Sequence, residues 1–217
     1  EIIDLGECLN SMGAKIIGHG TNIINIEGVN NLHDSNYNVM FDRIVAGTYI
    51  LAAVMINKKF TVKNIQTKYL ESLIQTLIKM KANLIVNDND ITILPSKKII
   101  GINIETAPYP GFPTDLQAQI MSLMCMANGP STIKEKIFEN RFMHVSELNR
   151  LGANIKIKKD IAYVAGNTKF KGAQVMASDL RASVSLVLAG LCAKGETTVN
   201  RVYHLDRGYE KIEETLG

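Results

Sequence analysis

The sequence lacks a strong net charge, a long apolar run and the cysteine spacing of a disulfide framework. Its 217 residues carry a formal net charge of only +3, which indicates neither a nucleic-acid partner nor an anionic membrane. An apolar run such as residues 184–193 is too short to cross a bilayer. The three cysteines, Cys8, Cys125 and Cys192, form no CxxC pair, so reduced core thiols fit better than disulfides. These absences predict a soluble, cytoplasmic protein.

The sequence also lacks the short motifs that hold metals or nucleotide cofactors. His19, His33, His144 and His204 form no HxxxH or HExxH pattern, and no GxGxxG or P-loop is present. We therefore expect no metal site and no cofactor. His144 and His204 are predicted to be structural.

A short phrase recurs along the chain and indicates an internal repeat. "MGAKI" at residues 12–16 returns as "MKANL" at 80–84 and "LGANI" at 151–155, and such regular recurrence is typical of a repeated structural unit. Each copy follows a helical pattern and leads into two short β-rich runs. The unit is therefore predicted to end as helix, strand, turn, strand.

A second recurring feature precedes the first. Asp42, Asp115 and Asp179 each stand near the start of a long apolar helix that is followed by a β-rich run. One unit then reads β-α-β-α-β-β over about 70 residues. Because these helices are apolar nearly all round, they are predicted to be buried, with sheets wrapped around them. The predicted fold is α/β, an inside-out barrel of βαβαββ repeats.

The two ends of the chain fall within repeats rather than between them. The first residue is Glu1 rather than Met, and "EETLG" at the C-terminus resembles the lead into the phrase at 151–155. We expect residues 1–36 to be the closing helix and hairpin of a first domain. Residues 37–217 are expected to form a second domain that lacks its final strands.

The stretch "APYPGFPTDLQAQI", residues 107–120, holds three of the five prolines. Pro108, Pro110 and Pro113 predict an extended, stiff loop. Thr114 and Gln117 match a capping box, which would leave the carboxylate of Asp115 free. Asp115 could equally be a plain helix cap, and that interpretation is preferred for Asp42 and Asp179.

Three arginines are predicted to lie in the first turns of helices. Arg141, Arg181 and Arg207 stand in "FENRFMH", "SDLRAS" and "HLDRGYEKI". A cation there opposes the helix dipole, but a helix start with a guanidinium group suits a bound anion. Equivalent repeat positions predict that the three converge. The alternative is that each pairs with a nearby acid, such as Glu139 or Asp206.

Four motifs together resemble the UDP-N-acetylglucosamine enolpyruvyl transferase (1-carboxyvinyltransferase) family. They are "GFPTDLQAQ", "FENRFMHVSELNRLGA", "GAQVMASDLRASVSLVLAG" and "VYHLDRGYEKIEETLG", and the resemblance covers the whole chain. It implies the enolpyruvyl transferase fold. It also implies transfer of the enolpyruvyl group of phosphoenolpyruvate to the sugar 3-hydroxyl with release of phosphate, the first committed step of peptidoglycan synthesis.

The resemblance also implies roles for individual residues. Asp115 matches the carboxylate that binds the sugar 3-hydroxyl and takes its proton, or only orients it. Ile137 matches a backbone contact to the sugar nucleotide. Arg141, Arg181 and Arg207 match the arginines on the phosphoenolpyruvate side, where fixed cations would stabilise the developing charge. Asp115, Arg181 and Arg207 are the predicted catalytic residues, and all five are predicted to bind substrate.

The family's catalytic cysteine, and a lysine and an asparagine near its N-terminus, lie upstream of anything matched here. None of the three cysteines matches that position, so we expect a C-terminal part that is inactive alone. One alternative is the sister family that uses shikimate 3-phosphate as the acceptor. Another is a non-catalytic sugar-nucleotide-binding repeat protein.

Overall fold

The structure is a computed structural model, and it describes residues 1–216. The chain forms two compact units, one from Glu1 to Asp42 and one that starts at Arg43. The predicted division between residues 36 and 37 falls inside the first unit and stays a prediction. No helix formed by residues 1–216 combines the length and the apolar character needed to cross a membrane.

The first unit consists of one helix and one hairpin, as the repeat predicted. Helix α1 (Ile2–Ser11) leads into strands β1 (Lys15–Ile17) and β2 (Asn25–Glu27). The two strands pair antiparallel, with Ile16 opposite Ile26. The rest of the unit is tied to the helix by Asp4, whose carboxylate accepts a hydrogen bond from Tyr37 Oη at 3.0 Å.

The second unit alternates helices and strands. Its helices are α2 (Arg43–Ile56), α3 (Glu71–Lys79), α4 (Gln117–Met126), α5 (Val145–Arg150), α6 (Leu180–Leu191) and α7 (Ile212–Leu216). Its strands are β3 (Phe60–Lys63), β4 (Asn83–Val86), β5 (Asp90–Leu94), β6 (Asn103–Glu105), β7 (Ser131–Lys134), β8 (Ile155–Lys158), β9 (Ile161–Val164), β10 (Gln174–Met176) and β11 (Thr198–Asn200). The order β6-α4-β7-α5-β8-β9 is the predicted βαβαββ unit.

The strands of this unit form three separate sheets. Their orders are β3-β5-β4, β6-β7-β9-β8 and β10-β11. Strand pairs β6–β7 and β10–β11 are parallel, while the hairpins β4–β5 and β8–β9 are antiparallel. This mixture follows from the repeat, because a strand–helix–strand segment gives parallel neighbours and a short turn gives antiparallel ones.

Helices α2, α4 and α6 form the interior, as their apolar composition predicted. They pack against one another, and in α4 every residue from Gln117 to Cys125 is buried. Gly47 of α2 permits close approach, since a Cβ there would lie 2.7 Å from Leu116 Cδ1. A helix buried on every side has no amphipathic stripe, which is why its sequence is apolar all round.

The recurring phrase proves to be a helix C-cap. In all three copies the second residue has a positive φ: 94° at Gly13, 64° at Lys81 and 99° at Gly152. The alanine that follows donates its N–H to a carbonyl five residues earlier, at 3.0, 2.9 and 3.0 Å. This is the hydrogen bond of the Schellman motif, which ends a helix and redirects the chain. The recurring phrase therefore marks the position at which each of these helices ends.

His144, directly before α5, is buried and was predicted to be structural. Its side chain is enclosed, and its Nε2 has no hydrogen-bond partner within the described residues. Burial lowers the pKa of His144 to about 4, with opposing contributions from the nearby charges of Asp179 and Arg141. The imidazole is therefore neutral at physiological pH and packs as a core group.

We predict that His144 makes the folded chain sensitive to mild acid. Because its folded pKa lies below the ordinary value of about 6.5, its stabilising effect is complete above pH ~6.5. The free energy of unfolding should fall as the pH drops from there toward the folded pKa, by up to about 1.4 kcal/mol per pH unit. Urea denaturation of the wild type and His144→Gln at several pH values measures this.

The His144→Gln variant should lose less stability between pH 7 and pH 4.5 than the wild type loses. His33, which is exposed, provides the matched control, and His33→Gln should retain the wild-type pH dependence. Parallel curves for His144→Gln and the wild type would contradict the assignment.

Candidate functional site

The starts of the three inner helices lie together at one end of the second unit. Asp115, in the 3-10 turn (Thr114–Leu116) that leads into α4, contacts Arg181 near the start of α6. Arg43, the first residue of α2, lines a cavity of about 190 Å³ together with Asp115. Helix starts carry unpaired backbone N–H groups and a partial positive charge. This end of the unit therefore suits anionic ligands.

Asp115 joins two arginines. Its Oδ1 accepts a hydrogen bond from Arg141 Nη2 at 2.8 Å, and its Oδ2 accepts one from Arg181 Nη2 at 3.1 Å. The Asp115 side chain is 39% exposed, against 21% and 18% for the two arginine side chains. The carboxylate thus keeps an open side, and each oxygen has a further lone pair for a ligand.

The predicted capping box is wrong. Thr114 Oγ1 donates to Glu135 Oε2 at 3.0 Å instead of capping the helix. Gln117 is buried, and within the described residues neither of its side-chain polar atoms has a hydrogen-bond partner. The prediction of a free Asp115 carboxylate is also wrong, because two guanidinium groups already bind it.

Arg141 and Arg181 reach Asp115 from different kinds of secondary structure. Arg141 lies in the turn before α5, so its predicted place in a first helical turn is wrong, and its guanidinium lies 4.9 Å from the Phe138 ring centre. Arg181 is the second residue of α6, as predicted. Asp179 caps that helix by accepting the Arg181 N–H at 2.9 Å, which confirms its predicted role.

Arg207 does not join this pair. It is exposed in a turn after the 3-10 segment Val202–His204, so the predicted helix start is wrong here as well. Its side chain makes no hydrogen bond or ion pair with another described residue. The structure therefore brings two of the three predicted arginines, Arg141 and Arg181, into contact with Asp115. Their shared acid is Asp115, so the alternative pairings with Glu139 and Asp206 are wrong.

The proline-rich loop is closed on itself, and the prediction of an extended loop is wrong. The Ala107 N–H donates to the Phe112 carbonyl at 3.0 Å, and the Gly111 N–H donates to the Pro108 carbonyl at 2.8 Å. The Tyr109–Pro110 peptide bond is cis. Phe112 is buried and anchors the end of the loop. The loop is thus a compact wall beside Asp115.

Ile137 shares the 190 Å³ cavity with Asp115. It also lines a larger open cavity of about 730 Å³ formed mainly by residues 135–143. Its backbone N–H already donates to Glu135 Oε1 at 2.9 Å. A backbone contact from Ile137 to a ligand would therefore use the carbonyl oxygen.

Glu135 is a site residue that the sequence analysis missed. Its buried carboxylate accepts four hydrogen bonds, two from threonine hydroxyls and two from backbone N–H groups. The donors are Thr106 Oγ1 (2.7 Å), Thr114 Oγ1 (3.0 Å), Ile137 N (2.9 Å) and Phe138 N (3.2 Å). These charge-assisted bonds offset the cost of burying the charge and tie together both segments that line the cavity. The sequence did contain a signal for Glu135. Every second residue of this segment is buried, namely Ser131, Ile133 and Glu135.

Arg43 was also missed. It stands one residue after Asp42, at the start of an inner helix, so the repeat already gave it the same kind of position as Arg181. Its guanidinium lies 5.7 Å from the ring centre of Tyr109 in the proline-rich loop. That contact holds a third arginine at the edge of the cavity.

Cys125 and Cys192 line neither of these two cavities. Cys125 is fully buried in α4, and burial raises the pKa of its thiol to about 12. Burial likewise raises the pKa of the Cys192 thiol to about 11. Both are therefore protonated at neutral pH and are poor nucleophiles. Within residues 1–216, no cluster of three or more His, Cys, Asp or Glu side chains is arranged to hold a metal ion.

The sequence is similar to curated proteins named UDP-N-acetylglucosamine 1-carboxyvinyltransferase. It is 54% identical over 216 residues to the one from Pelagibacter ubique (strain HTCC1062), covering 52% of that protein. Identity to the one from Solidesulfovibrio magneticus (strain ATCC 700980 / DSM 13731 / RS-1) is 51%, also over 52% of its length. The chain thus spans about half the length of the curated relatives it matches, and the resemblance to this family is confirmed.

Solved structures with a similar fold are enolpyruvyl transferases. The enolpyruvyl transferase NikO from Streptomyces tendae matches with a TM-score of 0.91 at 28% identity, over 99% of this chain and 52% of its own. EPSP synthase from Acinetobacter baumannii matches with a TM-score of 0.74 at 19% identity, over 95% of this chain and 51% of its own, a likeness of fold alone. The predicted fold class is confirmed. Since the family model for EPSP synthase (3-phosphoshikimate 1-carboxyvinyltransferase) matches residues 1–216, the chain belongs to that family.

Proposed function

We propose that this chain forms part of an enzyme that transfers the enolpyruvyl group of phosphoenolpyruvate to the 3-hydroxyl of UDP-N-acetylglucosamine and releases phosphate. In a bacterial cytoplasm this would be the first committed step of peptidoglycan synthesis. The observation that carries the proposal is the Asp115 carboxylate, which lines a cavity and is held between Arg141 and Arg181. The names of the relatives at 51–54% identity supply the substrates.

The arginines suit the charge of phosphoenolpyruvate. During transfer, the sugar oxygen adds to the substituted enol carbon while the methylene carbon gains a proton. The resulting tetrahedral species carries both a carboxylate and a phosphate. Elimination of phosphate with loss of a methyl proton then restores the double bond. Guanidinium groups fixed before the reaction stabilise this charge without reorganising.

Asp115 suits the acceptor hydroxyl. Both of its oxygens are held by arginines, so the direction of its remaining lone pairs is fixed. A hydroxyl entering the open side would donate to one of these lone pairs and so be oriented toward the enol carbon. The same carboxylate is positioned to take the hydroxyl proton as the carbon–oxygen bond forms.

The sugar nucleotide would occupy the side of the cavity that Ile137 lines. This residue is 38% exposed, and its neighbouring backbone is fixed by Glu135. A rigid backbone carbonyl beside Asp115 gives the acceptor a second point of attachment. Two such points orient a ligand better than one.

The acceptor distinguishes this proposal from its nearest alternative, which is suggested by the description of the matching family model. We predict that a protein of the relatives' full length containing this chain releases phosphate from phosphoenolpyruvate with UDP-N-acetylglucosamine, and not with shikimate 3-phosphate. Phosphate release measured with each acceptor tests this. Turnover with shikimate 3-phosphate alone would support the alternative. Binding of the sugar nucleotide with no turnover would indicate a non-catalytic binding protein.

We predict that Asp115→Asn in the same full-length protein lowers kcat by about 10²–10⁴-fold, the usual cost of losing a general base. Binding of the sugar nucleotide should weaken far less, because the amide keeps a polar contact. Steady-state kinetics and equilibrium binding give the two quantities. Asp88→Asn, in the exposed turn between β4 and β5, is the matched control. An unchanged kcat would restrict Asp115 to a structural role.

We predict that Arg181→Ala and Arg207→Ala each raise the KM for phosphoenolpyruvate by about 10- to 100-fold, because hydrogen bonds to charged groups contribute about 1.5–3 kcal/mol. Lysine at either position should restore only part of the affinity, since it cannot form two parallel hydrogen bonds. Arg150→Ala, on the exposed end of α5, should leave KM unchanged. Normal phosphoenolpyruvate kinetics in both alanine variants would rule out the anion site.

A further inference from the structure

A buried relay of hydrogen bonds connects the Arg207 segment to the Asp115 segment. Tyr209 Oη lies 2.8 Å from Thr48 Oγ1, although the two residues are 161 positions apart. Gln119 Nε2 donates both to Thr48 Oγ1 at 3.1 Å and to the Asp115 carbonyl at 2.9 Å. The relay therefore runs from Tyr209 through helix α2 and helix α4 to the backbone of Asp115.

Thr48 stands at the centre of the relay. Its hydroxyl is within hydrogen-bond distance of the Ile44 carbonyl at 2.9 Å and accepts from the Gln119 amide. When its single proton is donated to Ile44, Thr48 accepts from Tyr209, although in this pair of hydroxyls either oxygen can be the donor. Burial raises the pKa of the Tyr209 phenol, while its hydrogen bond with Thr48 and the charge of Arg181 act in the opposite direction. The phenol is therefore protonated at neutral pH.

The ring of Tyr209 is anchored as firmly as its hydroxyl. It is only 2% exposed and belongs to a cluster with Val184, Leu205 and Ile212. Gly208 lies directly against α6, since a Cβ at that position would be 2.9 Å from Leu180 Cδ2. The backbone on both sides of Arg207 is thus fixed against the same helix that carries Arg181.

Unlike Tyr209, Arg207 is not anchored by its own side chain. Its side chain makes no hydrogen bond or ion pair with another described residue, and it lies in a turn rather than in a helix. Its position relative to the other arginines therefore depends on its neighbours, Leu205, Gly208 and Tyr209. Among these three residues, only Tyr209 offers a side-chain hydrogen bond to another element.

We propose that Tyr209 is a positioning residue that holds the Arg207 turn in register with Asp115 and Arg181. The proposal rests on the proposed function, in which these groups share one anionic substrate. The Tyr209 hydroxyl touches no substrate and acts through Thr48 and Gln119. Without it, the turn would still pack through its apolar contacts but would lose its polar connection to the start of α4.

The test compares Tyr209→Phe with Tyr203→Phe in a protein of the relatives' full length that contains this chain. Tyr203 lies in the same segment but is 60% exposed, so it is a matched control. Loss of one hydrogen bond, worth about 1 kcal/mol, should raise the KM for phosphoenolpyruvate about fivefold. The KM for the acceptor should not change. A purely structural role would instead lower kcat through the folded fraction and leave both KM values unchanged.

Hydrogen exchange provides a readout that does not depend on turnover. In Tyr209→Phe the amides of residues 203–212 should exchange faster, while those of strands β3, β4 and β5 serve as the internal reference for global stability. Thr48→Val removes the same hydrogen bond from the other side and also removes the acceptor of the Gln119 amide. It should give at least the same change, and adding Tyr209→Phe to Thr48→Val should change little further, because the two residues act as one unit.

The proposal requires both the selective rise in KM and the local increase in exchange. Either result without the other, or additive effects of Tyr209→Phe and Thr48→Val, would overturn it. If the wild-type protein releases no phosphate, the proposed function has failed. The exchange comparison then decides by itself whether Tyr209 holds the Arg207 turn.

Discussion

Burial of helices α2, α4 and α6 is the constraint on which the rest of the second unit depends. Most residues of these three helices are buried, so the helices meet solvent mainly near their ends. Where their N-terminal ends gather, unpaired N–H groups and partial positive charge gather too. The positive potential at this end, which suits an anionic ligand, is thus a consequence of the packing.

Asp115 is an internal anion at this positive end. It satisfies Arg141 and Arg181 together, which prevents two cations from lying side by side without a counter-charge. Both pairs are partly exposed, so their contribution to stability is modest. The main effect of these pairs is to fix geometry. The carboxylate is held at both of its oxygens, and both guanidinium groups are held by the same carboxylate, so all three groups have restricted positions.

Buried polar groups around the site give it rigidity. Glu135 joins the proline-rich loop to the turn at Ile137, and Thr48 joins α2 to α4 and to Tyr209. In a low-dielectric interior, each such bond strongly opposes displacement of its partners. The segments that carry Asp115, Ile137 and Arg207 are all loops or turns. These hydrogen bonds therefore hold the three segments in place, as backbone hydrogen bonds hold helices and strands.

The sequence by itself determined the repeat, the fold class and the buried helices. Those features are local: a positive-φ residue ends each helix at Gly13, Lys81 and Gly152, and apolar periodicity marks a helix as interior. The motifs also carried the family resemblance. They identified Asp115 and Arg181 as residues near helix starts, and both are found there.

Only the tertiary structure decided which side chains meet. Asp115 and Arg181 are 66 residues apart, Thr48 and Tyr209 are 161 apart, and neither pair leaves a pattern in a single sequence. Thr114 matched a capping box, yet it donates to Glu135, because a buried carboxylate across the fold is the stronger acceptor. Local rules fix how a segment begins and ends. The partner of a polar side chain depends on the packing of distant segments, which no local pattern records.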